Sequence, residues 1–468
     1  MNFHQLLFPF VFLPVAYGVF RVTPQRFCKI ALLALSLLFI AWGSPADLFF
    51  VLVSAAFNYV SGLQIDRLRL AQKDRAARLA LISAVAADLL LLGYFKYYGF
   101  AARELGALFR SSVSVNPMAA PVGISFFTFS ELSYLFDVYR RKTEGAGRPL
   151  DYALFVTFFP KFSSGPILPW HDMVRQTEAP AVSAEAAETG LRLFLVGLCK
   201  KVLIADTLRL IFDPISAMPA GELSLLTAWT GALSYTFLLY FDFSGYSDMA
   251  VGLGRVFGFT LPVNFKYPYQ SESVGDFWRR WHASLGAWFR DYVYIPLGGS
   301  RAGTAKTVRN LLIVWLLTGI WHGANWTFLL WGVYHGLLIV LEKFALKNVL
   351  PKLPAPLRRV LTFLAVMLGW VLFFSPDLGS AFRFLGRMAA VGSFADATAL
   401  YYLKSALPLL ALAALGSTTL ARDAAGKLER RRPRWFYVAR TALFAIGLLL
   451  CVAGMVGSTN TSFLYSQF

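Results

Sequence analysis

LLTGIWHGANWTFLLWGVYHG, residues 316–336, holds no Lys, Arg, Asp or Glu, yet it carries two histidines, His322 and His335. An apolar run of this length suits lipid, where an ionisable side chain is costly and marks a functional position by default. Working outward, further apolar segments lie around 5–20, 30–42, 46–62, 78–98, 118–136, 150–168, 190–212, 223–242, 311–322, 325–341, 357–375, 402–420 and 437–457. Some reach the roughly 20 residues that cross a bilayer; the shorter ones predict tilted, re-entrant or protein-buried helices. With 57% hydrophobic residues, 15% charged residues and a mean hydropathy of +0.57, the 468-residue chain lies outside the soluble globular range. The pattern predicts an all-α polytopic membrane protein.

The formal net charge of +18 does not imply nucleic acid, because no soluble basic domain exists and many of the Lys and Arg residues fall in short loops between apolar runs. Those charges read as topology and lipid-anchoring signals. The basic loops, among them DRLRLAQKDRAAR and the RRRPR run at 430–434, are expected on the cytoplasmic side, which places both termini outside. Residues 1–20 lack a basic leader and a cleavage site, so they read as a retained first transmembrane helix. Cys28, Cys199 and Cys451 are far apart in sequence and form no CxxC, so neither a disulfide framework nor a metal site is expected. No linker or repeat divides the chain, and one domain over 1–468 is the economical reading.

Residues 243–301 break the lipid-like background with Arg, Asp, Gly and Pro among aromatics. Trp278, Trp281, Leu285, Trp288 and Tyr292 recur at helical spacing, which predicts one interfacial helix with Arg279, Arg280 and Arg290 elsewhere around it. GLGRVFG at 252–258 departs from the dinucleotide fingerprint and reads as close helix packing. Asp242 and Asp248, with Ser244 and Ser247, are expected to line a polar cavity at the end of an apolar helix.

If the helix continues through His322, then Trp315, Thr318, Gly319, Asn325 and Trp326 share its side. An imidazole in such surroundings is neutral and has one nitrogen available to accept a proton, so it can act as a general base; the alternative is a structural hydrogen bond to a neighbouring helix or to Thr318. His335 reads as a packing residue. His282, in WRRWHASLGAW, shares a helical face with Arg279 and Gly286, and either lines the same cavity or anchors the interface.

FDFSGYSDMAVGLGRVFGFTLPVNFKYPY, SVGDFWRRWHASLGAWFRDYVYIPLGG and LLTGIWHGANWTFLLWGVYHG, in that order, resemble the membrane-bound O-acyltransferase family, in the bacterial branch that includes alginate O-acetyltransferases. PVGISFFTFSELSYLFDVYR and FFPKFSSGPILPW are similar to upstream blocks, and the resemblance is dense over about 120–345, with flanking helices in 1–119 and 346–468. It implies a ring of transmembrane helices around a central tunnel and funnel, with short re-entrant and interfacial helices. It also implies that His322 is the membrane histidine of the family and His282 its second characteristic histidine. The donor implied is acetyl-CoA, a substrate and not a bound cofactor. The acceptor implied is an exported polysaccharide of alginate or cellulose type, reached through a periplasmic partner of the SGNH type beside the synthase and secretion complex in the inner membrane.

On that resemblance Asn325, Trp326 and His282 are candidates to stabilise an oxyanion. Trp278, Arg279, Arg280 and Arg290, with Arg301 and Lys306, are candidates to meet CoA at the cytoplasmic mouth. The tail TSFLYSQF resembles a terminal motif of an accessory peptide in the teichoic acid D-alanylation system, which makes Tyr465 a candidate covalent acyl relay. Peptidoglycan O-acetylation and D-alanylation are alternatives within the class. A polymer or lipid transporter, or a non-catalytic assembly subunit, is the alternative outside it.

Overall fold

In the computed structural model, residues 2–109, 119–176, 182–219, 221–301, 303–389, 392–457 and 463 are described. Among them the regular structure is entirely helical. Seven helical stretches are long and apolar enough to cross a membrane: Gln25–Gly43, Pro45–Leu70, Asp74–Leu108, Trp326–Phe344, Ala355–Phe374, Ala397–Gly416 and Pro433–Gly457. The expected first span forms a shorter apolar helix, Phe8–Val22, whose first turns are wound as a π-helix over Phe8–Phe12. The apolar runs at 118–136 and 150–168 give helices of only 16 and 9 residues, Ile124–Tyr139 and Pro149–Thr157.

The described chain falls into two units, the first drawn from 2–194 and 247–262, the second from 195–246, 263–457 and 463. In the first, the turn between Cys28–Gly43 and Pro45–Leu70 is a single residue, Ser44, whose Oγ accepts from the Asp47 amide at 3.1 Å while Pro45 starts the next helix without a donor to satisfy. Pro45–Leu70 packs on Ile124–Tyr139 so closely that a Cβ at Gly62 would lie 2.2 Å from the Tyr134 ring. GLGRVFG does serve helix contact: a Cβ at Gly252 would sit 2.5 Å from the Gly190 carbonyl oxygen. Gly258, at φ 84°, then turns the chain out of the helix Leu225–Val256.

The second unit holds the helical hairpin Thr304–His322 and Trp326–Phe344, built on the stretch first quoted. Its helices touch through glycine, since a Cβ at Gly319 would lie 2.5 Å from the Phe328 carbonyl oxygen and one at Gly332 would lie 2.4 Å from that of Trp315. Two thiols far apart in sequence also meet in this unit, with Cys199 Sγ and Cys451 Sγ 3.6 Å apart as free cysteines. Asp242, expected to line a cavity, instead shares the buried Lys201 ammonium with Asp206, at 2.7 Å each, because its helix continues through it to Val256.

Candidate active site

The single helix expected across 278–292 is broken. Val274–Arg280 is capped by Ser273, whose Oγ accepts from the Asp276 amide at 3.1 Å. Trp281 then turns extended, His282 takes the left-handed conformation at φ 45°, and a second helix, Ala283–Phe289, begins. A non-glycine residue in that region is uncommon and is held there by its surroundings.

The surroundings are the segment around Asn264. The Lys266 amide donates to the Arg280 carbonyl, the Ala283 amide to the Asn264 carbonyl and the Ser284 amide to Asn264 Oδ1, each at 3.0 Å. These bonds satisfy the backbone groups that the break would otherwise strand. Asn264 therefore fixes the turn that carries His282. Sequence periodicity missed it because nothing local marks an asparagine as the partner of a turn about twenty residues on.

The hairpin breaks in the same way. Thr304–His322 ends at His322 itself, Gly323 is extended, and Asn325 caps the next helix by accepting from the Thr327 amide at 3.1 Å. The expected unbroken face joining His322 to Asn325 and Trp326 does not form. Asn325 Nδ2 donates to the Pro376 carbonyl at 2.7 Å, and Trp326 is about half exposed, so neither is among the described residues lining the cavity below. A Cβ at Gly323 would lie 2.6 Å from the Phe328 ring, which allows the chain to fold back tightly beside His322.

These breaks bring His282 and His322 to one cavity of about 530 Å³, lined also by Trp278, Arg279, Trp281, Leu285, Gly286, Arg290, Trp315 and Thr318. Both imidazoles are 2% exposed. His322 meets Trp331 edge-on at 4.9 Å and Phe373 at 5.0 Å, and His282 meets Phe243 edge-on at 4.7 Å. Burial lowers the His282 pKa to about 3, so this ring is neutral at physiological pH. Thr318 Oγ1 donates to the Val314 carbonyl at 2.7 Å and presents the rest of its side chain to the cavity. A volume of this size lies within the range of small-molecule binding pockets.

His335, fully buried, lies behind the lining. Its Nδ1 accepts from Trp278 Nε1 at 3.3 Å, and its Nε2 lies against Gly369, where a Cβ would come within 2.5 Å. It thus holds the indole that forms one wall of the cavity. Trp278 also packs on Trp315 at 4.7 Å and Trp331 at 5.4 Å.

Arg279 also lines a second, polar cavity of about 710 Å³ with Gln270, Glu272, Ser273, Asp276, Arg280, Arg359 and Thr419. Asp276 pairs with Arg280 at 2.9 Å and with Arg279 at 3.3 Å, while Glu272 bonds Arg359 at 2.8 Å and Arg358. Those bonds hold the Glu272 carboxyl below the usual range. Four guanidinium groups stand against two carboxylates, leaving two positive charges over. Arg290 differs: Asp291 takes its fork at 2.7 and 3.0 Å. Tyr465 lies outside the described residues, although Phe463 is placed, buried against Tyr246 at 4.7 Å and under the Lys201 ammonium at 4.9 Å.

The comparisons with known proteins give the class of this helical chain, whose two buried histidines line one largely apolar cavity. The chain belongs to the MBOAT, membrane-bound O-acyltransferase family, whose model matches residues 33–376, well beyond the 120–345 carried by motifs alone. It is a multi-pass membrane acyltransferase. It is 42% identical over 420 residues to "Probable alginate O-acetylase AlgI" of Azotobacter vinelandii, covering 89% of this chain and 83% of that one. The protein of the same name from Pseudomonas putida is 37% identical over 495 residues, covering 100% of both chains. "Peptidoglycan O-acetyltransferase" of Helicobacter pylori is 36% identical over 424 residues, covering 83% and 80%.

Proposed function

We propose that this acyltransferase takes an acetyl group from acetyl-CoA on the cytoplasmic side of a bacterial inner membrane and delivers it for O-acetylation of an exported polysaccharide of alginate or cellulose type. The relatives named as alginate O-acetylases support that acceptor class. The observation that carries the reading is the pair of buried imidazoles on one chamber, with a cationic basin sharing Arg279 with it. The phosphate end of the donor is held by Arg279 and Arg280, with Arg359 nearby. Arg290, already bound by Asp291, contributes less. Trp278 and Trp281 flank the pantetheine arm.

In the chamber, His322 is the general base. Its neutral ring takes the proton of the acceptor hydroxyl as that oxygen attacks the thioester carbonyl; the C–O bond forms, the C–S bond breaks, and the thiolate leaves to be protonated as CoA. His282, neutral and able to donate one N–H, stabilises the oxyanion. Asn325 and Trp326 shape the hairpin around His322 and act only through it. The first acceptor is the phenol of Tyr465, which passes acetyl outward to an SGNH-type periplasmic partner working beside the polymer synthase and secretion complex. Peptidoglycan is the alternative acceptor, since a relative named as a peptidoglycan O-acetyltransferase covers 83% of the chain.

The test uses purified full-length protein with labelled acetyl-CoA. His322→Ala is expected to lower acetyl transfer by roughly 10²–10⁴-fold with membrane insertion and thermal stability preserved. Full activity in that variant ends the assignment. Absence of acetyl-Tyr465 on trapped protein, with full activity in Tyr465→Phe, removes the relay and leaves the rest.

A further inference from the structure

Within the first unit, two spanning helices and the helix Ile124–Tyr139 hold a polar cluster whose residues do not line the chamber. Ser54 and Asn58, one turn apart on Pro45–Leu70, each grip a carboxyl from a different helix. Ser54 Oγ donates to Glu131 Oε2 at 2.7 Å, and Asn58 Nδ2 donates to Asp88 Oδ1 at 2.8 Å. Glu131 and Asn58 are 0% exposed and Asp88 is 4% exposed. The remaining oxygens, Glu131 Oε1, Asp88 Oδ2 and Asn58 Oδ1, are buried with no hydrogen-bond partner.

Neither carboxyl makes a salt bridge among the described residues. Lys161 is near enough to interact with Glu131, but its Nζ donates to Ser130 Oγ at 3.2 Å and lies 4.5 Å over the Phe155 ring. Tyr152, buried with its hydroxyl unpartnered, faces both carboxyls. Tyr134 Oη accepts the Ala146 amide, and Lys96, further along the helix of Asp88, donates to Ser125 Oγ at 3.3 Å. Two ionised carboxyls and one ammonium would leave a net negative charge inside a low-dielectric bundle. An ion without a close partner there costs several kcal/mol, so the group neutralises by taking a proton. One proton also converts a carboxyl oxygen from an acceptor into a donor, which suits a cluster holding several buried acceptors without partners.

We propose that Asp88 and Glu131 form a membrane-embedded proton-binding site, the pair holding one proton at neutral pH, with Lys161 balancing the remaining charge. A metal ion fits less well, because no group of three His, Cys, Asp or Glu able to hold one occurs among the described residues. Loss of the proton places two like charges among three packed helices, so the bundle loosens as pH rises.

Infrared titration of the full-length protein in lipid nanodiscs reads the site without reference to activity. At neutral pH a protonated-carboxyl band is expected that Glu131→Gln and Asp88→Asn each remove, both variants being close in shape to the residue they replace. The wild-type melting temperature is expected to fall by on the order of 5 °C between neutral pH and about pH 10, and this fall is expected to shrink in both variants. Absence of the band in the wild type, or its persistence in both variants, overturns the proposal. So does a melting temperature that follows sodium or potassium concentration in the wild type and loses that dependence in Glu131→Gln.

Discussion

At the scale of single residues, His282 combines two features that seldom coincide, a left-handed backbone and a fully desolvated imidazole. In the unfolded chain its pKa is near 6.5, and in the folded chain it is lowered to about 3. Between those values the unfolded state binds the proton and the folded state does not, so stability present above pH 6.5 is lost as pH falls toward 3. The slope from this one group is at most about 1.4 kcal/mol per pH unit. In thermal melts across that acid window His282→Asn, which keeps a residue tolerant of the left-handed region, is expected to flatten the pH dependence relative to wild type. An unchanged slope would mean that the ring is already solvated. His335 shows the complementary case, a buried histidine outside the chamber whose hydrogen bond sets the position of Trp278.

At the scale of elements, the chamber depends on two helix breaks and one glycine contact. The hairpin helices approach through Gly319 and Gly332, where side chains would collide with backbone atoms that cannot yield. Gly319→Leu is therefore expected to cost at least about 1–3 kcal/mol, by the overpacking scale, and to displace His322 from the lining. A lowered melting temperature together with lost transfer activity checks this, and unaltered melting would show that the helices separate freely. Part of this element is legible in the sequence, since the charge-free stretch predicts apolar segments at 311–322 and 325–341, but their close approach through glycine is not. Nor is the break after His322, because periodicity counts positions and cannot register that Asn325 Oδ1 is an N-cap for Thr327.

At the scale of the whole molecule, the excess of positive charge sorts into two uses. Many cations fall between the apolar runs, as topology requires. Arg279, Arg280 and Arg359 instead surround a polar basin with carboxylates that neutralise them only in part. A polyanionic donor binding there should be screened by salt, so the KM for acetyl-CoA is expected to rise with ionic strength while kcat changes little. Replacing Arg279 and Arg280 together by Ala is expected to raise KM roughly 10-fold and to weaken the salt dependence, on the scale of a charge-assisted hydrogen bond. Salt-independent KM values in wild type would place the donor elsewhere.

The amino-acid order alone determined the membrane character of this chain, its all-helical class and the family it belongs to. Those follow from composition, from apolar run length and from blocks of contiguous residues, all of them local properties. Tertiary structure decided which residues meet. It drew His282 and His322 to one cavity, withdrew Asn325 into a cap and Asp242 into an ion pair, and set Cys199 beside Cys451. It also placed Asp88 and Glu131 against one stripe of a third helix. The reason is that backbone groups left unpaired by a helix break must find partners, and here Asn264 supplies them from a distant segment. Helical propensity of a few tenths of a kcal/mol per residue yields to that requirement, and no count along the chain can foresee where the partner will come from.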